Sequence, residues 1–142
     1  DEPVARLAEG GLDRREPALV VWEGVVMYLT EPAIRATATT LAKGLDPRSL
    51  VAFDFVGKRF ASGEVSSDQR QSRDYVEALG EPVRFGSDWI LPLLYECGYR
   101  WVRQIGFDEL ALEFLGDYRR ERMFRFQHLA LAAPTTPVAR WP

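Results

Sequence analysis

The residues best placed to do chemistry cluster where an apolar run gives way to an acid. Ala18-Leu19-Val20-Val21-Trp22 is followed by Glu23 and Gly24, and then by Val25-Val26-Met27-Tyr28-Leu29-Thr30. A short apolar stretch bounded by Pro17 and Gly24 predicts a strand buried on both faces, as inside a parallel sheet. Ligands of open parallel sheets bind outside the carboxyl ends of the strands, so Glu23 is expected to look into such a crevice. A carboxylate there can hold a cation by charge-assisted hydrogen bonds, each contributing about 1.5–3 kcal/mol. The competing reading is an exposed strand-end acid.

Other polar candidates are each open to two readings. Asp54, near the end of a second apolar run, either faces the cleft or caps the loop at Gly57. Arg84 either pairs bidentately with an anionic substrate or makes a surface ion pair. The single histidine, His128, is expected mid-strand, far from the cleft edge, in a structural role. Cys97 is expected to pack inertly at a helix end, and Trp22, Trp89 and Trp101 to be core or lid aromatics. The sequence carries no metal-ligand spacing, nucleophile elbow or catalytic triad.

Those residues need elements to position them. A short helix is predicted over residues 3–10, with Val4 and Leu7 on one side. A polar connection, Leu12 to Pro17, leads to the first strand, Ala18–Trp22. Thr30 is a suitable N-cap for the next helix, with Pro32 tolerated in its first turn. Ile34, Leu41 and Leu45 share one stripe of that helix, which Gly44 and Pro47 close. The run Ser49–Val56 is a second strand, and strand–helix–strand with short connections implies a parallel pair. Gly57–Gly80 is polar and reads as a lid insertion of one or two helices. A helix over Ile90–Cys97 must hold Pro92 in its first turn. A strand over Tyr99–Phe107, a short helix carrying Leu110, Phe114 and Leu115, and a final strand over Phe124–Ala132 complete the chain. Such a late strand is expected to join antiparallel.

At 142 residues the chain fits one domain, able to bury about two thirds of its unfolded surface. Its 46% hydrophobic and 27% charged residues are ordinary for a globular protein. A net charge of -3 gives no electrostatic case for nucleic acid. The basic cluster Arg119, Arg120, Arg122 and Arg125 is interleaved with Asp117 and Glu121 and reads as a solvated face. One cysteine excludes an internal disulfide. No apolar run approaches the ~20 residues of a spanning helix, and Asp1-Glu2 is not a signal peptide. The expected location is cytoplasmic, with no membrane partner. Residues 134–142 read as a loose tail.

Several segments, in order, resemble the leucine carboxyl methyltransferase-like family. They are Gly11-Leu12-Asp13 with Pro17 and Trp22-Glu23-Gly24…Met27-Tyr28-Leu29-Thr30, then Phe53-Asp54-Phe55, then Val83-Arg84-Phe85-Gly86 with Gly98-Tyr99 beyond. The resemblance covers about Leu7 to Ala133 and implies an α/β fold, the Rossmann-like class I methyltransferase sheet with its last strand antiparallel. On that template residues 1–133 are the C-terminal part of the domain, strands four to seven, with the lid at about 57–80. The glycine-rich turn and the acids that hold ribose and adenine would belong to strands one to three. Gly10-Gly11 follows no strand and cannot be that turn.

The resemblance implies S-adenosyl-L-methionine as cofactor, contacted by Glu23, Gly24 and Tyr28. Tyr28 can equally pack under the following helix. Asp54 and Arg84 become substrate-pocket candidates for a carboxylate or small-molecule hydroxyl acceptor. The alternative is a non-catalytic α/β module that binds no cofactor alone and self-associates through its exposed first strand.

Overall fold

The computed structural model describes residues 3–78, 80, 82–116 and 124–137. Four strands, β1 (Leu19–Trp22), β2 (Leu50–Val56), β3 (Trp101–Gly106) and β4 (Gln127–Ala133), form one sheet in the order β1-β2-β4-β3. β1 and β2 run parallel, with Trp22 opposite Phe53. β4 lies between β2 and β3 and is antiparallel to both, with Phe55 opposite His128 and His128 opposite Gly106. β1, β2 and β3 therefore all end at the same edge of the sheet, and β4 begins there.

Among the described residues six helices accompany the strands: α1 (Pro3–Glu9), before β1, and α2 (Glu31–Gly44), α3 (Lys58–Ser62), α4 (Ser67–Ala78), α5 (Leu91–Glu96) and α6 (Phe107–Leu115) between strands. A 3-10 turn, Val26–Tyr28, lies between β1 and α2. Pro32 and Pro92 sit in the first turns of α2 and α5, where a missing N–H costs no helical bond. Thr30 occupies the N-cap position of α2 with extended backbone but makes no side-chain cap bond. α3 and α4 fill most of the predicted 57–80 insertion.

Alternation along the strands puts Val20, Trp22, Val51, Phe53, Phe55, Ala130 and Ala132 on one face of the sheet. That face is the core, packed by Val4 of α1, by Ile34, Ala38 and Leu41 of α2, and by Leu93 and Leu94 of α5. Beneath it lies Tyr99, fully buried, whose hydroxyl donates to the Ala38 carbonyl at 3.0 Å. Burial pushes this hydroxyl's pKa well up, so it remains a donor.

Several expectations need correction. β1 is not buried on both faces. Leu19 and Val21 are 60% and 62% exposed, because β1 is the outer strand and only one of its faces meets helices. Leu7 is exposed while Val4 is buried, since α1 packs through Val4 against Gly44. The polar connection contributes Leu12 to the core. Phe114 and Leu115 of α6 are exposed, and Ala111 is its buried residue. Trp89 is 66% exposed, neither core nor covered. The predicted loose tail is held at its start, where the Thr135 hydroxyl donates to the Pro47 carbonyl at 2.8 Å. Asp117, Arg119, Arg120, Glu121 and Arg122 lie outside the described residues, as do 138–142. Arg125 instead pairs with Asp108 at 3.0 Å.

Tyr99→Phe removes one buried hydrogen bond and leaves a carbonyl unpaired, so stability is expected to fall by about 1–3 kcal/mol. Urea unfolding of the two proteins measures this, and an unchanged midpoint would deny the bond its role.

Candidate active site at the carboxyl ends of the strands

Glu23 is exposed and directly follows the last residue of β1. Gly24 has φ of +69°, a left-handed conformation that favours glycine, and turns the chain off the strand. A Cβ on Gly24 would meet nothing within 4 Å, so backbone is open to a ligand there. The turn is pinned from β2: the Gly24 N–H donates to Asp54 Oδ1 at 2.6 Å. Asp54 thus does not cap the loop at Gly57; it ties the end of β1 to its neighbour. The cap is supplied by Asp88, whose Oδ1 accepts the Lys58 N–H at 3.0 Å.

After the turn, the 3-10 segment places Met27 and Tyr28 against Val56 and Phe60 in a second apolar cluster. The Met27 carbonyl accepts two backbone N–H groups, from Arg84 at 2.8 Å and Phe85 at 3.1 Å. Arg84 is therefore tied to the turn through its backbone. Its exposed guanidinium makes neither the expected ion pair nor another hydrogen bond among the described residues. Gly86 allows the same strap to lie close against α3 and the Gly57 turn that follows β2. A Cβ on Gly86 would stand 2.6 Å from Ala61 Cβ and 2.8 Å from the Gly57 carbonyl oxygen.

These elements border a half-open cavity of about 440 Å³ at the carboxyl ends of β1 and β2. Met27, Tyr28 and Val56 line it from the strand ends, Phe60 from α3 and Val83 from a later loop. Phe124, Phe126 and Gln127 enter from the start of β4, and Gln71, Tyr75 and Val76 from α4. α4 is fastened to α3 by Arg73. Its guanidinium donates to the Phe60 carbonyl and, at 3.2 Å, to the Ala61 carbonyl, while its Nε meets Glu77 at 2.9 Å.

A second, polar cavity of about 400 Å³ lies beside it, lined among others by Gly57, Arg59, Asp88 and His128. The stacked rings of Phe60 and Phe126, 3.7 Å between centroids, line both cavities. His128 is therefore not remote from the cleft edge. An antiparallel β4 begins where its neighbours end, which sequence order does not reveal. Its ring stacks on Phe55 at 5.2 Å, and its buried Nδ1 has no hydrogen-bond partner. Burial lowers the imidazole's pKa below its ordinary value, and the Asp88 carboxylate partly opposes that. Cys97 is buried, its thiol near the Arg35 carbonyl at 3.7 Å.

The sequence profile of leucine carboxyl methyltransferase matches residues 1–42, which include Glu23, Gly24 and Tyr28. No curated protein sequence matches significantly. Among solved structures, a DUF574 family protein from Streptomyces avermitilis superposes with TM-score 0.67 at 15% identity, over 93% of this chain and 52% of that one. A SAM-dependent methyltransferase from Archaeoglobus fulgidus gives TM-score 0.54 at 10% identity, over 92% and 64%. Magnesium protoporphyrin IX methyltransferase from Synechocystis PCC 6803, with bound SAH, gives 0.51 at 12%, over 88% and 48%. The chain spans about half to two thirds of the length of these structures.

Two outcomes follow from the site's packing. Gly86→Ala forces backbone apart at Gly57 and is expected to cost about 1–3 kcal/mol, the range of overpacking, measured by thermal unfolding. Because the folded state resists protonating His128, its contribution is full above the ordinary histidine pKa of about 6.5 and declines as pH falls below it. Stability measured against pH in His128→Leu should lose that component; an identical acid dependence would contradict it. The fold is the Rossmann-like methyltransferase fold, and the chain is similar in sequence to leucine carboxyl methyltransferase over residues 1–42.

Proposed function

We propose that this chain supplies the acceptor-side half of a methyltransferase that transfers a methyl group from S-adenosyl-L-methionine to the oxygen of a small molecule or carboxylate. One observation carries the reading. The Glu23-Gly24 turn, tied down by Asp54, leads at once into the 3-10 segment whose Met27 and Tyr28 line a half-open apolar cavity at the carboxyl ends of parallel strands. One protein of similar fold, the Synechocystis enzyme, holds bound SAH.

The residues present fit the cofactor chemically. Glu23 offers an exposed carboxylate with no competing hydrogen bond among the described residues, and Gly24 offers approachable backbone. When bound, S-adenosyl-L-methionine supplies an electrophilic methyl group on a cationic sulfur. Glu23 would hold the cofactor's positive charge or hydroxyls, and Gly24 would let it approach the strand end. Tyr28, shared between the Met27 cluster and the cavity wall, would separate cofactor from acceptor. Asp54 acts through Gly24 and is a positioning residue. α3 and α4 would form the lid over the acceptor. In-line positioning of two reactants lowers a barrier without covalent help from the protein, so a carboxylate acceptor would require no general base.

A second reading, a non-catalytic module acting through β1, rests on the exposed Leu19 and Val21 and on an outer edge without a partner strand among the described residues. Sedimentation showing a monomer at micromolar concentration would dismiss it.

Calorimetry with S-adenosylhomocysteine tests the first reading. These 142 residues hold one side of the cleft, so they alone are expected to bind too weakly to measure. Joined to a strand-one-to-three half from a similar methyltransferase, they are expected to bind, and Glu23→Ala should weaken that binding at least tenfold. Submillimolar binding by the chain alone would refute its being half a site. Unchanged affinity in Glu23→Ala would remove Glu23 from the site.

A further inference from the structure

The acceptor cavity differs from the rest of the strand-end surface in its lining. Nine of its lining side chains are apolar or aromatic, and the two others, Gln71 and Gln127, are amides. Formal charges gather instead on the other side of the Phe60–Phe126 stack, with Arg59, Glu64, Asp88 and Arg125 in the polar cavity. An ionised carboxylate moved into the apolar cavity would leave water without meeting a cationic partner among those residues, which is strongly unfavourable. A hydroxyl needs a single partner to be satisfied, and an amide provides both donor and acceptor.

We infer that the acceptor is an uncharged, largely apolar molecule, aromatic or similarly flat, that presents a hydroxyl to Gln71 and Gln127; as its oxygen bonds the methyl carbon and the carbon–sulfonium bond breaks to leave S-adenosylhomocysteine, the hydroxyl proton passes to water at the cavity's open side. This deepens the methyltransferase reading and rests on it, choosing the hydroxyl over the carboxylate acceptor. The size agrees: about 440 Å³ lies within the roughly 300–1,000 Å³ of small-molecule pockets. So does the arrangement of the walls. Phe60 and Phe126 offer ring faces for stacking, and Gln71 and Tyr75 lie one turn apart on α4, so both can face the same ligand. Arg73 lies on α4 between Gln71 and Tyr75, and its bonds to the last carbonyls of α3 hold that helix over the cavity.

The lining residues named here all belong to this chain, so binding can be measured on the chain itself. Equilibrium dialysis at pH 7 with 1-naphthol, neutral at that pH, and 1-naphthoate, ionised, makes the comparison. 1-Naphthol is expected to bind at least tenfold more tightly. Val76→Arg, on the half-buried side of α4, should remove that preference or reverse it. Gln71→Leu, at an exposed position where folding is not at stake, should weaken 1-naphthol binding severalfold without strengthening 1-naphthoate. Equal binding of the two probes, or a preference for 1-naphthoate, would overturn the inference, as would failure of both to bind. The methyltransferase reading stands or falls separately on S-adenosylhomocysteine binding to the joined protein.

Discussion

The insertion of β4 between β2 and β3 is the constraint on which the rest of the molecule depends. Its two antiparallel ladders bind β3 to β2, though no β2–β3 ladder joins them directly. The reversal also carries the start of β4 to the edge where the three other strands end. Phe126, Gln127 and His128 reach the cleft only for that reason. Ladder hydrogen bonds leave little freedom in register, and a one-residue slip would exchange His128 with Gln127 across the sheet.

Packing on one face of this sheet is what makes the opposite edge usable. The helices α1, α2 and α5 bury Phe53 and Phe55 beneath them, which holds the backbone of β2 in place. Asp54, between those two phenylalanines, then has a fixed position from which to hold Gly24. The same rigidity extends through Val56 and Gly57 to the strap at Phe85 and Gly86, where the Ser87 N–H donates to the Val56 carbonyl at 2.9 Å. Structure at the site is thus a consequence of burial some distance from it. Functional geometry placed on rigid strand ends is better held than geometry placed on loops alone.

Two kinds of environment meet at the Phe60–Phe126 stack. On one side, apolar walls and two amides line a half-open cavity; on the other, charged groups surround a histidine whose pKa burial lowers. The stack contributes dispersion and desolvation and keeps the two apart. A cleft divided in this way can present an apolar ligand to the strand ends while ion pairs stay solvated.

Much of this was legible in the residues themselves. Strand–helix–strand periodicity, Pro32 and Pro92 in first turns, and the stripe Ile34–Leu41–Leu45 follow from local sterics and from the repeat of apolar positions, which any sequence displays. The acid–glycine step at Glu23 and Gly24 was visible for the same reason: a strand's end is marked by composition. What the tertiary structure alone decided was which strand neighbours which. The exposure of β1, the link from Asp54 to Gly24, the approach of His128 to the cleft and the apolar lining gathered from five separate segments all depend on strand pairing between residues 22 to 81 positions apart. Such contacts are set by the summed packing of the whole sheet, and no local pattern encodes them.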